Sequence, residues 1–172
     1  MITYKGQRVG VFVDVQNMYY SAKNLYNAKL NFAELLKSAT RGRTLIRAIA
    51  YVIKADVKDE KNFFEALEKI GFEVKSKDLQ VFYGGAKKGD WDIGIAMDMI
   101  ELAPKLDTVV LVSGDGDFVP LVQHLSRAFG CRVEVMAFGK SSSAKLKEVA
   151  DSFVDLDKEA RKYLIKIRAG VR

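Results

Sequence analysis

Residues 109–117 read Val-Val-Leu-Val-Ser-Gly-Asp-Gly-Asp, an apolar run that ends in two carboxylates. Residues 9–14, Val-Gly-Val-Phe-Val-Asp, have the same character near the N-terminus. Near-continuous aliphatic runs of this length are typical of strands in parallel sheets, where helices cover both faces. The two stretches therefore predict strands of a parallel α/β sheet.

Apolar runs alternate with amphipathic stretches along the rest of the chain, which predicts a three-layer, Rossmann-like α/β sandwich with a mainly parallel central sheet. Strands are predicted at residues 8–14, 45–53, 72–77, 79–83, 108–113, 132–138 and 153–156. Helices are predicted at residues 31–39, 59–70, 91–102, 118–129 and 143–150, and residues 16–27 favour a helix or an irregular turn. Residues 1–157 are expected to form one domain, followed by a basic C-terminal helix or tail at 158–172.

Length, charge and residue types narrow the function classes. The chain has 172 residues, 49% of them hydrophobic, and a net charge of +6. Cys131 and His124 are the sole cysteine and histidine, which excludes an internal disulfide and any zinc site built on histidine and cysteine. No signal-peptide segment or membrane-spanning run is present, so we expect a cytoplasmic protein with no membrane partner. The sequence leaves the choice between a monomer and a homodimer open.

The carboxylates that follow the two apolar runs predict a metal site. Ligands of open α/β sheets bind outside the carboxyl ends of the strands, so Asp14 and Asp115 are expected to lie close together. Clustered carboxylates repel one another unless a cation lies between them, and Mg²⁺ prefers such oxygen ligands. A basic chain with acidic residues at its strand ends therefore predicts a metal-dependent enzyme acting on phosphate esters.

Two of the carboxylates near these strand ends, Asp14 and Asp117, also have a purely structural interpretation. In the structural interpretation, Asp14 caps the following helix. In the functional interpretation, Asp14 holds a metal and Asn17 contacts a phosphate or a metal-bound water. Asp117 could cap the helix that begins at Phe118, which would leave Asp115 unexplained. A calcium-binding EF-hand loop is excluded, because the positions that require glycine and glutamate are Pro120 and Ser126.

A third group of carboxylates lies around residue 90. Asp90 and Asp92 precede or open a helix, where negative charge also suits the helix dipole. Asp98 lies within an apolar helical stretch, so it is expected either to pair with a lysine or to belong to the metal site.

Basic and hydroxyl side chains give candidate phosphate contacts. They are Lys87, Lys88, Lys140 and Ser143, with the basic C-terminal segment as a further arm. Helix capping alone would also explain Ser143.

Three motifs in order resemble the NYN domain, a branch of the PIN-like nuclease superfamily, and most closely its LabA-like group. They are Phe-Val-Asp-Val-Gln-Asn at residues 12–17, Lys-Gly-Asp-Trp-Asp-Ile-Gly-Ile-Ala-Met-Asp at 88–98, and Ser-Gly-Asp-Gly-Asp-Phe-Val-Pro-Leu at 113–121. The resemblance spans about residues 7–157. It implies a PIN-like fold and cleavage of RNA that depends on Mg²⁺ or Mn²⁺. By motif position the resemblance implies an acidic cage formed by Asp14, Asp92, Asp115 and Asp117. It places Asn17 and Ser113 beside this cage and implies Asp98 as a further ligand.

The leading hypothesis is therefore a metal-dependent ribonuclease, acting on single-stranded or structured RNA. The first alternative is an RNA-binding or regulatory domain with weak or absent catalysis. The second is a phosphatase of the haloacid dehalogenase type, which is disfavoured because such enzymes need an aspartate where this chain has Gln16.

Overall fold

The computed structural model describes residues 3–54, 60–85 and 87–167. In chain order its strands and helices are β1 (Arg8–Asp14), α1 (Val15–Tyr26), β2 (Ala28–Leu30), α2 (Phe32–Thr40), β3 (Thr44–Lys54), α3 (Glu60–Ile70), β4 (Glu73–Asp78), β5 (Gln80–Val81), β6 (Lys87–Lys88), α4 (Asp92–Leu102), β7 (Thr108–Val112), α5 (Val119–Phe129), β8 (Arg132–Ala137), α6 (Ala144–Val149), β9 (Ser152–Asp155), α7 (Ala160–Tyr163) and β10 (Leu164–Lys166). Short 3₁₀ turns lie at Ala103–Lys105, Gly116–Phe118, Gly139–Ser141 and Leu156–Glu159.

The central sheet confirms the predicted α/β architecture. Within the described residues it has six strands in the order β4-β3-β1-β7-β8-β9, and every neighbouring pair is parallel. The chain moves from β1 outward to β3 and β4 and then crosses back to β7 on the other side of β1. The strand order thus reverses between β1 and β7, and the carboxyl ends of strands at such a switch point are where α/β folds bind ligands.

Two apolar layers cover the sheet. Val11 and Val13 of β1 face a layer formed mainly by α1, α2 and α3, in which Met18 and Leu35 are fully buried. Phe12 faces the opposite layer, formed mainly by α4, α5 and α6. Because successive side chains of β1 enter opposite layers, the strand is apolar without alternation from Val9 to Val13.

The helix ends follow from local sequence. The side chain of Asn31 accepts a hydrogen bond from the backbone N–H of Glu34 at 3.2 Å and so caps the N-terminus of α2. The helix α1 ends at Asn27, which adopts a left-handed conformation with φ 46°, and α5 ends at Gly130 with φ 65°.

Within the described residues, the segment predicted as a basic C-terminal helix or tail forms a short helix and a strand. The helix α7 has four residues, and β10 follows it directly and pairs antiparallel with β2. Tyr163 is buried and its carbonyl accepts a hydrogen bond from the N–H of Asn31 at 2.7 Å. The pairing with a strand near the other end of the chain prevents the helix from continuing. Residues 168–172, with Arg168 and Arg172, lie outside the described residues.

Smaller differences concern short strands. The residues predicted as a strand at 79–83 form a hairpin arm at Gln80–Val81, and the turn begins at Phe82. The three strands β2, β6 and β10 were not predicted, since strands of two or three residues carry too few positions to show a pattern.

Candidate metal centre

An acidic cleft lies at the carboxyl end of β1 and β7, where the strand order reverses. It has a volume of about 460 Å³. Asp14 ends β1, Asp115 belongs to the loop after β7, and Asp92 opens α4. The structure therefore brings these three carboxylates together, although about a hundred residues separate the first from the last. The residues lining the cleft are Asp14, Gln16, Asn17, Tyr20, Ser21, Asn24, Leu25, Asp90, Asp92, Asp115 and Ser141.

Asp14 joins the first strand, the first helix and the loop after β7. One carboxylate oxygen accepts a hydrogen bond from the N–H of Asn17 at 3.2 Å, and the other accepts from the Ser113 hydroxyl at 3.0 Å. Asp14 is therefore the N-cap of α1, as the structural interpretation predicts, and also a wall of the cleft. Its side chain is held in one orientation by both contacts.

The loop at residues 113–117 is held by hydrogen bonds on both sides. The side-chain oxygen of Asn17 accepts from the N–H of Gly114 at 3.0 Å, and the Ser113 hydroxyl accepts from the N–H of Asp115 at 3.2 Å. Ser142 packs so closely that a Cβ added at Gly114 would lie 2.6 Å from its hydroxyl oxygen and 3.1 Å from its Cα. Glycine at position 114 therefore allows the loop to approach the cleft.

Asp115 has the capping role that the sequence suggested for Asp117. Asp115, not Asp117, caps the following 3₁₀ turn, because its carboxylate accepts from the N–H of Asp117 at 3.0 Å. Asp117 lies within that turn and is exposed.

Asp92, Asp115 and Asp117 form a compact carboxylate cluster. Each offers one oxygen, and the three oxygens lie within 4.8 Å of one another. Partial burial raises the pKa of Asp92 to about 6, and the negative charges of Asp115 and Asp14 add to the effect. Burial likewise raises the pKa of Asp14, although its hydrogen bonds with Asn17 and Ser113 oppose the shift. The protein therefore does not fully neutralise the negative charge of these carboxylates. Three carboxylate oxygens at this spacing fit a hard divalent cation.

Asp98 lies apart from the carboxylate cluster. It accepts hydrogen bonds from the Lys75 ammonium and the Tyr51 hydroxyl, both at 2.7 Å. Asp98 lies well over one helical turn beyond Asp92, so its carboxylate reaches β3 and β4 and not the cleft. Of the two expectations for Asp98, the structure shows the lysine pairing, and it does not place this carboxylate in the cluster of Asp92, Asp115 and Asp117.

Of the predicted phosphate contacts, Ser143 and Lys140 are described with their side chains, and neither lines the cleft. Ser143 caps α6 by accepting from the N–H of Leu146 at 3.3 Å, and its own N–H donates to the Gly114 carbonyl at 2.9 Å. The ammonium of Lys140 lies 5.4 Å from the centre of the Tyr26 ring. Lys87 and Lys88 form β6, and their side chains lie outside the described part of the structure.

A polar stripe on α1 contains Asn17, which the sequence predicted as a site residue, and Tyr20, Ser21 and Asn24, which it did not. Asn17, Tyr20, Ser21 and Asn24 all line the cleft, and their spacing of three, four and seven residues places them on one helix face. The Ser141 hydroxyl donates to that of Ser21 at 2.9 Å, which ties the stripe to the opposite wall. The helical period of these polar residues is the signal that could have found them. Asp90, also in the cleft, was considered only as a residue preceding a helix.

A comparison with the sequence models of known protein families shows which family this chain belongs to. The model of the NYN domain matches residues 8–157. The chain belongs to the NYN domain family. The low amplitude and bright protein LabA of Synechococcus elongatus is 26% identical to this NYN domain, over 96% of the present chain and 91% of its own length. The predicted resemblance to the NYN domain is thus confirmed.

A solved structure shares the fold of this NYN domain. It is the crystal structure of a protein of unknown function from Vibrio parahaemolyticus, with a TM-score of 0.86 and 34% sequence identity. The match covers 96% of the present chain and all of that structure.

No helix within residues 3–54, 60–85 and 87–167 combines the length and apolar character needed to cross a bilayer.

Divalent cations are expected to stabilise this NYN domain more strongly at pH 7.5 than at pH 5. The raised pKa of Asp92 means that the folded protein binds its proton more tightly than the unfolded chain does. Without metal, stability therefore falls as the pH rises through about 6, and at pH 5 protons compete with metal for Asp92. The measurement is the Mg²⁺- or Mn²⁺-induced change in melting temperature at both pH values. An equal change at pH 5 and pH 7.5, or no change, would contradict the assignment of Asp92 as a ligand.

Proposed function

We propose that this NYN domain is a metal-dependent ribonuclease that hydrolyses phosphodiester bonds in the acidic cleft. The observation that carries the proposal is the cluster of Asp92, Asp115 and Asp117, with their oxygens within 4.8 Å of one another beside the buried Asp14. Membership of the NYN family supports RNA as the substrate. The net charge of +6 supports a polyanionic partner for a chain whose cleft is acidic.

The carboxylates divide into two roles. Asp92, Asp115 and Asp117 would hold Mg²⁺ or Mn²⁺. When bound, such a cation activates water for attack at phosphorus and stabilises negative charge on the leaving oxygen. Asp14 adds negative charge to the same cleft, and its hydrogen bonds with Asn17 and Ser113 fix its carboxylate, so it completes the acidic cage from the side of β1.

The predicted substrate contacts also divide. Ser113 is fully buried and its hydroxyl is engaged by Asp14 and by the N–H of Asp115, so it positions the cage and does not bind RNA. Asn17 lines the cleft, and only its side-chain oxygen is used in holding Gly114. Its amide nitrogen is proposed to donate to a substrate phosphate. Lys87, Lys88 and Lys140 are proposed to guide the phosphate backbone.

Cleavage assays test the proposal. Labelled single-stranded RNA, structured RNA and DNA of matched sequence are incubated with purified protein and Mg²⁺, Mn²⁺ or EDTA. We expect RNA cleavage with either cation and none with EDTA. Binding of RNA without cleavage under all conditions would favour the alternative, an RNA-binding domain without catalysis. Release of phosphate from small esters, with RNA left intact, would favour the phosphatase.

A further inference from the structure

A hairpin beside the acidic cleft carries exposed aromatic side chains. The strands β5 and β6 pair antiparallel, with Gln80 opposite Lys88 and Val81 opposite Lys87. Phe82 is 50% exposed and Tyr83 is fully exposed in the turn between them. Val81, which precedes them, is 64% exposed, and a contiguous exposed apolar patch is typical of an interaction site.

The base of the hairpin is anchored firmly to the sheet. The N–H of Leu79 donates to the Lys54 carbonyl at 3.2 Å, and the indole N–H of Trp91 donates to the Val52 carbonyl at 2.9 Å. A Cβ added at Gly89 would lie 2.8 Å from a methyl carbon of Ile53. The hairpin is thus fixed at the carboxyl end of β3, the same edge of the sheet as the cleft.

A groove lies beside the hairpin and shares one lining residue with the acidic cleft. It has a volume of about 230 Å³ and is lined by Lys77, Asp78, Gln80, Phe82, Gly89 and Asp90. Asp90 lines the acidic cleft as well. The ammonium of Lys77 lies 4.9 Å from the centre of the Trp91 ring, which places a positive charge at the groove. An aromatic face, a cation and a lining residue shared with the cleft therefore occur together.

We propose that this groove binds an unpaired nucleotide of the RNA whose scissile phosphate lies in the acidic cleft. Its base stacks on Phe82, the neighbouring base stacks on Tyr83, and Lys77 contacts the phosphate between them. The inference rests on the proposed function, since it takes the occupant of the cleft to be RNA.

The lining of the groove favours an unpaired nucleotide over a duplex. Stacking on an aromatic side chain requires a base whose face is free, and proteins that bind single strands combine such stacking with positive charge along the backbone. Asp78 and Asp90 repel phosphates but can accept hydrogen bonds from amino groups on the edge of a base. In a duplex those faces and edges are occupied by neighbouring and paired bases.

Binding of labelled RNA to the full-length protein tests the inference. Fluorescence anisotropy is measured in EDTA and in Mg²⁺, with a single-stranded RNA and a blunt duplex of the same sequence. Phe82→Ala should weaken binding of the single strand about tenfold, within the range known for the loss of one stacked base, and should leave duplex binding unchanged. Phe82→Trp should retain the affinity. Lys77→Ala should lower the slope of log affinity against log salt by about 0.7, whereas Phe82→Ala should not change the slope.

Tyr4→Ala is the matched control, because Tyr4 is 65% exposed and precedes β1, at the opposite edge of the sheet. Equal affinities of Phe82→Ala and Tyr4→Ala for the single strand would overturn the inference. So would equal losses on single strand and duplex, or a change in oligomeric state on Phe82→Ala with RNA binding intact.

The outcomes also separate this inference from the proposed function. A wild-type protein that binds single strands through Phe82 but cleaves nothing would support the groove and refute the nuclease. A wild-type protein that cleaves RNA while Phe82→Ala keeps full affinity would refute the groove alone. Wild-type protein that binds no RNA in either buffer would overturn both.

Discussion

Asp115→Asn is expected to reduce RNA cleavage by at least about a thousandfold, since a catalytic cation contributes several kcal/mol to transition-state stabilisation. The substitution removes one negative charge from the carboxylate cluster of Asp92, Asp115 and Asp117. It keeps the side-chain oxygen that accepts from the N–H of Asp117, so the 3₁₀ turn should survive. RNA affinity should be unchanged or higher, because repulsion between the cleft and the phosphates falls.

The measurement combines a cleavage rate, an RNA affinity and a melting curve for the same variant. Glu148→Gln is the matched control, because it removes an exposed carboxylate on α6 that pairs with Lys145 outside the cleft. It should cleave at the wild-type rate. An Asp115→Asn protein that remains active, or that is inactive because it is unfolded, would count against the site.

Arg43→Met is expected to lower the free energy of unfolding by about 3 kcal/mol, the low end of the cost of removing one partner from a buried ion pair, because Arg132 still donates one hydrogen bond to Glu134 at 3.1 Å. Arg43 makes two hydrogen bonds to the Glu134 carboxylate, at 3.0 and 3.1 Å, with both side chains almost fully buried. Burial alone would raise the pKa of Glu134, but the hydrogen bonds and charge of Arg43 hold the pKa below its ordinary value. The stabilisation is therefore present above the ordinary pKa of glutamate and is lost as the pH falls through the lowered pKa.

Urea unfolding at neutral pH measures this loss. Arg8→Met is the matched control, because the Arg8–Asp107 pair is about half exposed and solvent screens the attraction between its charges. The double variant Arg43→Met and Glu134→Leu should recover most of the stability, since no charge is then left buried. A single variant as stable as the Arg8 control would show that the buried pair does not secure the fold.

The long parallel strands were predictable because burial on both faces leaves a pattern within a few residues, as at 9–14 and 109–117. The pairing of β2 with β10 was not, since each has three residues and the partner lies at the other end of the chain. The same holds for Arg43 and Glu134, which are 91 residues apart. Nothing local marks such pairs.

The site shows a similar division. The convergence of Asp14 and Asp115 on one cleft follows from strand ends and the switch point, whereas Asp92, which opens α4, was implied by the resemblance to the NYN domain. The ion pair of Asp98 with Lys75 depends on which strand α4 packs against, and sequence could only offer pairing as one of two choices. The exchange of capping roles between Asp115 and Asp117 depends on backbone geometry that glycine leaves open.

Anomalous diffraction from crystals soaked with Mn²⁺ tests most directly whether the carboxylate cluster is a metal centre. We expect an anomalous peak in contact with carboxylate oxygens of Asp92, Asp115 and Asp117, and we expect this peak to be lost in crystals of Asp115→Asn. Soaks of both proteins at the same Mn²⁺ concentration control for weak surface sites. A wild-type crystal with no peak at this cluster, or with a peak that persists unchanged in Asp115→Asn, would show that the carboxylate cluster is not the proposed metal centre.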